Sequence, residues 1–107
     1  MCGIAGFTHL NRDPGPARME NVVAALRHRG PDRQSVHHSH WVSLGVARLK
    51  ILDLEGGDQP MTGSDGETVI AFNGEIYNHP ELFPRLESLG HRYKTRCDTE
   101  TVLHAYE

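Results

Sequence analysis

The chain has 107 residues, 11 Lys and Arg against 14 Asp and Glu, 37% hydrophobic and 7% aromatic residues, a composition that allows one ordinary soluble domain and excludes a two-domain enzyme. At this length folding buries roughly 60–70% of the surface that the unfolded chain exposes, enough for a modest core. The formal net charge of -3, with both signs interspersed, leaves no basic footprint for nucleic acid and no polybasic face for lipid, so neither partner is expected. Ile4, Ala5, Phe7 and Leu10 are mixed with His9, Asn11, Arg12 and Asp13, so neither a secretory leader nor a membrane span is expected. Two cysteines, Cys2 and Cys97, make no disulfide framework and point to a cytoplasmic protein.

Taken in chain order, Cys2 to Thr8 reads as a buried strand in which Gly3, Ala5 and Gly6 let neighbouring backbone approach Ile4 and Phe7. A Pro- and Gly-rich loop follows from Asn11 to Pro16. Met19, Val22, Val23 and Leu26 fall at i, i+3, i+4 and i+7 and predict an amphipathic helix, with Arg27, His28 and Arg29 at its negative end and Gly30-Pro31 as its stop. Trp41 to Ala47 alternates as a strand with one buried face, with Arg48 at or just beyond its end. Ile51 and Leu52 extend the apolar character before a loop from Asp53 to Pro60.

Ser64-Asp65-Gly66 is a turn signal leading into Thr68 to Phe72, an apolar run typical of a central strand, which Asn73-Gly74 ends abruptly. Asn78 predicts an N-cap, completed as a capping box by Glu81, for a helix striped with Leu82, Phe83, Leu86 and Leu89 and ended by Gly90. Arg92 to Arg96 reads as a short strand, and Asp98 as the cap of a last helix carrying Val102, Leu103 and Tyr106. That helix has no stop signal before Glu107, so it reads as cut. The residues alone give a mixed α/β or α+β domain.

Cys2 directly after Met1 is the most informative position. Removal of the methionine places a thiol and a free α-amine on one residue, with ordinary pKa values of roughly 8.5 and 7.7–8.0, close enough for the amine to act as base toward the thiol. The plain alternative is a buried structural cysteine. Asn73-Gly74 offers a side-chain amide and an open backbone N–H, the pair an oxyanion hole needs, or else an ordinary turn. Arg48 can clamp a carboxylate, and Glu75 and Asp98 can neutralise an ammonium group, the charge complement of a zwitterionic amino acid. His37, His38 and His40 are the only dense histidine cluster. They sit in an expected solvated loop, with none of the CxxC or HExxH spacings of a metal site, so no metal is expected.

Six segments in order, Met1-Cys2-Gly3-Ile4-Ala5-Gly6, Arg27-His28-Arg29-Gly30-Pro31-Asp32, Ala47-Arg48-Leu49-Lys50-Ile51-Leu52-Asp53, Gly56-Gly57-Asp58-Gln59-Pro60, Phe72-Asn73-Gly74-Glu75-Ile76-Tyr77-Asn78 and Asp98-Thr99-Glu100, give the chain its resemblance to the class II glutamine amidotransferase domain of glutamine-hydrolysing asparagine synthetases. The resemblance implies an α+β fold of the N-terminal-nucleophile hydrolase kind, an αββα sandwich of which residues 1–107 would supply the first part. It implies Cys2 as nucleophile, Asn73 and Gly74 as the oxyanion hole, and Arg48, the backbone at Ile51, Glu75 and Asp98 as the glutamine-binding set. No cofactor or metal is implied in this chain. ATP, magnesium and aspartate would belong to a synthetase domain outside it, and a homodimer is conceivable for the whole protein.

Other amidotransferases of the class, which make phosphoribosylamine or glucosamine phosphate, share the Cys-Gly-Ile start but lack the Arg-Gly-Pro-Asp and Asn-Gly-Glu-Ile-Tyr-Asn segments. The acceptor of the ammonia stays open between the asparagine synthetase type and related amidotransferases, and so does a non-catalytic fragment. Relative to the family, Ser35 stands in place of glycine, Cys97 in place of serine, and Arg33 is bulkier than expected. Cys97 is expected to be a packing residue whose side chain points away from that of Asp98, as neighbours in an extended stretch do.

Overall fold

The computed structural model describes residues 2–50 and 56–107. The expectations for Ile51, Leu52 and the first part of the following loop lie outside the described residues. A mixed α+β architecture results, in the order β1 (Gly3–Thr8), α1 (Pro16–Ala25), β2 (Arg33–His38), β3 (Val42–Arg48), β4 (Met61–Thr62), β5 (Val69–Ile70), α2 (His79–Ser88) and α3 (Asp98–Tyr106). The first three strands form an antiparallel sheet in the order β1-β3-β2, and β4 and β5 pair separately. No described helix is long and apolar enough to cross a membrane.

The helix α1 lies across one face of the larger sheet. Register sets Ala5, Gly45 and Val36 in one cross-strand row, and Met19, Val23 and Ala47 form the core there, with Ala5, Phe7, Leu26 and Val36 packed against it. Gly45 is what lets the helix down onto the sheet. A Cβ at that position would overlap Val23 Cγ2 and lie 2.7 Å from Met19 Sδ. Gly30 meets a similar demand after the helix, where a side chain would run into the Ala47 carbonyl. The start of α1 is set by an Asx turn in which the Gly15 N–H donates to Asp13 Oδ1 at 2.7 Å.

The expected helix of Met19 to Leu26 and the strand before Arg48 are both present. Four expectations about strand and loop are corrected. The strand β1 is not buried on both faces, because Ile4 points away from α1 and is 45% exposed. The His37-His38 stretch is the strand β2, hydrogen-bonded to β3, not a solvated loop; its polar sequence suits an edge. Only Val69–Ile70 of the run Thr68–Phe72 is in a strand, and it pairs with β4 at the periphery. Residues 92–96 form no strand.

The last correction has a specific cause. Glu100, 4% exposed, accepts the N–H groups of Lys94 and Thr95, both at 2.7 Å, and the Thr95 hydroxyl at 2.6 Å. One carboxylate takes up donors that a sheet ladder would otherwise use, and the segment folds onto α3 instead. Tyr93 and His79 close the same contact by sharing the hydroxyl of Thr101, at 2.8 and 2.7 Å, and Phe83 packs on the Tyr93 ring with centroids 4.1 Å apart. In α2, Asn78 makes no side-chain cap bond and Pro80 occupies the first turn, so the expected capping box is absent. Gly90 ends the segment with φ +100 as expected.

Two outcomes follow from these contacts. Gly45→Ala is expected to destabilise the chain by about 1–3 kcal/mol through overpacking against α1; a urea midpoint equal to wild type would contradict the packing described. Burial alone pushes the Glu100 carboxyl up, but the Thr95 hydroxyl, the two N–H groups and the nearby His104 outweigh it and leave it below its ordinary 4.5. A lowered folded-state value means that the stabilisation is complete above pH 4.5 and is lost as pH falls through the folded value. Glu100→Gln is thus expected to cost on the order of 2 kcal/mol at neutral pH, and the gap between variant and wild type, read by urea titration, is expected to narrow below pH 4.5.

Candidate functional site

Antiparallel pairing puts Gly3 opposite Ala47, so the residue before β1 meets the residues after β3. Cys2 accordingly sits against Leu49, whose N–H points at Sγ from 3.4 Å and whose carbonyl lies 3.8 Å from it. Arg48, one position earlier, ends β3 with a side chain only 11% exposed. Its Nη1 donates to Asp58 Oδ1 at 2.9 Å, and Arg33 holds the other oxygen of the same carboxylate. The Asp58 carboxylate is thus shared between the two guanidinium groups.

The backbone at Gly57 runs directly beneath Arg48. A Cβ there would stand 2.5 Å from Arg48 Nη2 and 3.4 Å from Cys97 Sγ, so guanidinium and thiol flank one segment and any side chain at position 57 would displace the guanidinium. Cys97 Sγ in turn lies 3.7 Å from Asp98 Oδ1. The expectation that these two side chains diverge is therefore wrong. Cys97 is extended, with φ -78 and ψ 137, but Asp98 is already the first residue of α3, and the change of backbone swings the carboxylate back toward the thiol. Nor is Asp98 a helix cap. Its Oδ2 accepts the Ile76 N–H at 2.8 Å.

Asn73, Gly74 and Glu75 form an exposed tip between β5 and α2. Both flanks of this tip are fixed by side chains from elsewhere: the Phe72 N–H donates to Gln59 Oε1 at 2.6 Å, and the Ile76 N–H is held by Asp98. Gln59 also donates through Nε2 to Thr99 Oγ1 at 3.3 Å, so the tip is referenced to α3 on both sides. At Gly74 the Phe72 ring folds so close that a Cβ would lie 2.9 Å from Cζ, which a side chain would disturb.

A continuous chain of contacts thus runs from Cys2 through Leu49 and Arg48 to Gly57, Cys97, Asp98 and Ile76, next to Glu75. It places a thiol, a guanidinium and a carboxylate along one path, with an amide-bearing tip at its far end. Ile51 lies outside the described residues. Gly57, Asp58 and Gln59 were recognisable only as letters of a family segment. Nothing in their own spacing announces that they carry Arg48 and the tip.

Over residues 1–107 the chain matches a family described as glutamine amidotransferase domain. The glutamine-hydrolyzing asparagine synthetase 1 of Bacillus subtilis (strain 168) is 38% identical over 110 residues, covering 99% of this chain and 17% of that protein. The glutamine-hydrolyzing asparagine synthetase 2 of Oryza sativa subsp. japonica is 39% identical over 110 residues, covering 100% and 18%. The corresponding enzyme 1 of Arabidopsis thaliana is 38% identical over 109 residues, with the same coverage. The chain spans less than a fifth of the length of these relatives.

Proposed function

We propose, from the premise that this chain belongs to the glutamine amidotransferase domain family, that it carries the glutamine-hydrolysing chemistry of a larger asparagine-forming enzyme. One observation supports the reading above others: Cys2, Arg48 and Asp98, far apart in sequence, are linked by the contact path through Gly57 and Cys97.

In this reading Arg48 receives the α-carboxylate of glutamine, exchanging it for the Asp58 carboxylate, and Asp98 with Glu75 receives the α-ammonium. With Met1 removed, the α-amine of Cys2 takes the thiol proton as sulfur attacks the side-chain amide carbon. The C–S bond forms as the carbonyl π pair moves to oxygen, where the Asn73 amide and the Gly74 N–H donate to it. Collapse of this adduct expels ammonia, which takes the proton from the α-amine, and leaves a glutamyl thioester. Water then adds to the thioester carbon, and glutamate leaves as the thiol is restored.

The ammonia passes to ATP- and magnesium-dependent amidation of aspartate, carried out by residues outside this chain. The N-terminal-nucleophile αββα sandwich is the architecture we assign to the complete domain, and the exposed outer face of β1 around Ile4 supports it. Two free thiols fit a cytoplasmic setting.

In the whole protein, Cys2→Ala is expected to abolish glutamine hydrolysis while amide formation from added ammonia continues; an unchanged hydrolysis rate would overturn the assignment. Asn73→Ala is expected to lower kcat for glutamine hydrolysis by about 10²–10³, with KM little changed. A loss confined to KM would remove Asn73 from the oxyanion hole.

A further inference from the structure

At the far end of the sheet, the face covered by α1 carries a second constellation. Phe7, Ser43 and His38 form a cross-strand row next to the Ala5-Gly45-Val36 row of the core. His9 continues β1, its N–H donating to the Trp41 carbonyl at 2.9 Å, and the loop before α1 brings Asp13 to the same place. The His9 and His38 rings stack, with centroids 5.1 Å apart and planes at 17°. Ser43, fully buried, meets both: its Oγ is 2.7 Å from His38 Nδ1 and 3.2 Å from His9 Nε2. On its other edge, His38 Nε2 lies 2.9 Å from Asp13 Oδ1.

A hydroxyl oxygen has two lone pairs and can accept one N–H from each ring. That arrangement, the one an ion at the outer edge would select, leaves lone pairs on His9 Nδ1 and His38 Nε2. His9 is 8% exposed, and its Nδ1 is buried with no hydrogen-bond partner among the described residues. Without an ion, His38 Nε2 is placed to donate to Asp13 Oδ1, and an ion bound there takes the place of that proton. Two imidazoles and a carboxylate therefore converge at one place.

We infer that His9, His38 and Asp13 bind a divalent transition-metal ion of the zinc class, with Ser43 fixing the tautomers of both rings. One donor atom from each of the three residues lies within 4.8 Å of the other two. Ligand atoms around four-coordinate zinc stand roughly 3.4 Å apart, so the His38-Asp13 pair, at 2.9 Å, opens by about half an ångström and His9 closes in to complete the set. Two imidazoles and one carboxylate suit zinc and its neighbours rather than magnesium or calcium, which take oxygen ligands. A ligating imidazole ordinarily donates its other N–H to an outer acceptor, the part the Ser43 oxygen plays for both rings. Asp13 is exposed and His38 half-buried, so the ion enters from solvent and keeps a position for water.

The length of β1 separates this site from Cys2 by roughly 20 Å, and the inference stands independently of the proposed glutamine chemistry. Of the dense histidine cluster, strand alternation leaves only His38 on this face.

Zinc is titrated calorimetrically into the 107-residue chain with its cysteines alkylated, and cobalt is followed by visible absorption. The expected result is a zinc site that magnesium does not compete for, with cobalt bands of a four-coordinate ion. Asp13→Asn and His38→Asn, with unchanged far-UV circular dichroism, are each expected to weaken the tightest zinc site at least tenfold, and His91→Asn to leave it intact. If His38→Asn fails to fold, the exposed Asp13→Asn decides alone. No uptake at millimolar zinc, or wild-type affinity in Asp13→Asn, overturns the inference.

Discussion

Arg48 joins the two parts of the molecule. It belongs to the sheet by its backbone, and its guanidinium reaches the loop before β4, where it lies against Gly57 and grips Asp58, beside Cys97 at the start of α3. A largely buried cation needs both a counter-charge and a close partner, and the sequence after β3 provides them within ten residues. Because Gly57 also faces Cys97, positioning the arginine positions the first turn of α3, and through Asp98 the tip at Asn73 to Glu75. Remove the close approach at Gly57, and Cys2 and Asp98 lose their common reference.

Elements whose periodicity reflects burial were legible in the sequence. The stripe of Met19, Val22, Val23 and Leu26 is a helix because one side of it faces the sheet, and Met19 and Val23 are its buried members. Where pairing is decided by tertiary context, the sequence misled. The segment Arg33–His38 contains one aliphatic residue and still forms six residues of strand, because an edge strand needs only a neighbour's backbone on one side. Thr68 to Phe72 has the composition of a central strand, but Gln59 takes the Phe72 N–H and shortens the pairing to two residues. Arg92 to Arg96 fails for the same kind of reason, with Glu100 as the competitor.

The candidate site was legible as residue identities and not as a geometry. Cys2, Arg48, Asn73, Gly74, Glu75 and Asp98 can be named from segments in order. The path between them runs through Gly57, Gln59 and Cys97, whose contacts are long-range and carry no periodic signature. Cys97 shows the limit most directly: alternation is a rule for extended chain, and it stops applying at the residue where α3 begins. The His9, Asp13 and His38 constellation was hidden for a related reason. Its members are scattered along the sequence and meet only because β1 and β2 flank Ser43.

The tip at Asn73 to Glu75 is three residues long and pinned on both flanks, by Gln59 at Phe72 and by Asp98 at Ile76. A segment so short between two fixed points has little conformational freedom left to lose. The entropy of arranging its amide groups is lost when the chain folds, so in the proposed reading glutamine would meet donors already in place. The same tethering makes the tip dependent on residues that never touch that ligand. Any change that slackens Gln59 or lifts α3 returns to the binding step an ordering cost that folding had absorbed.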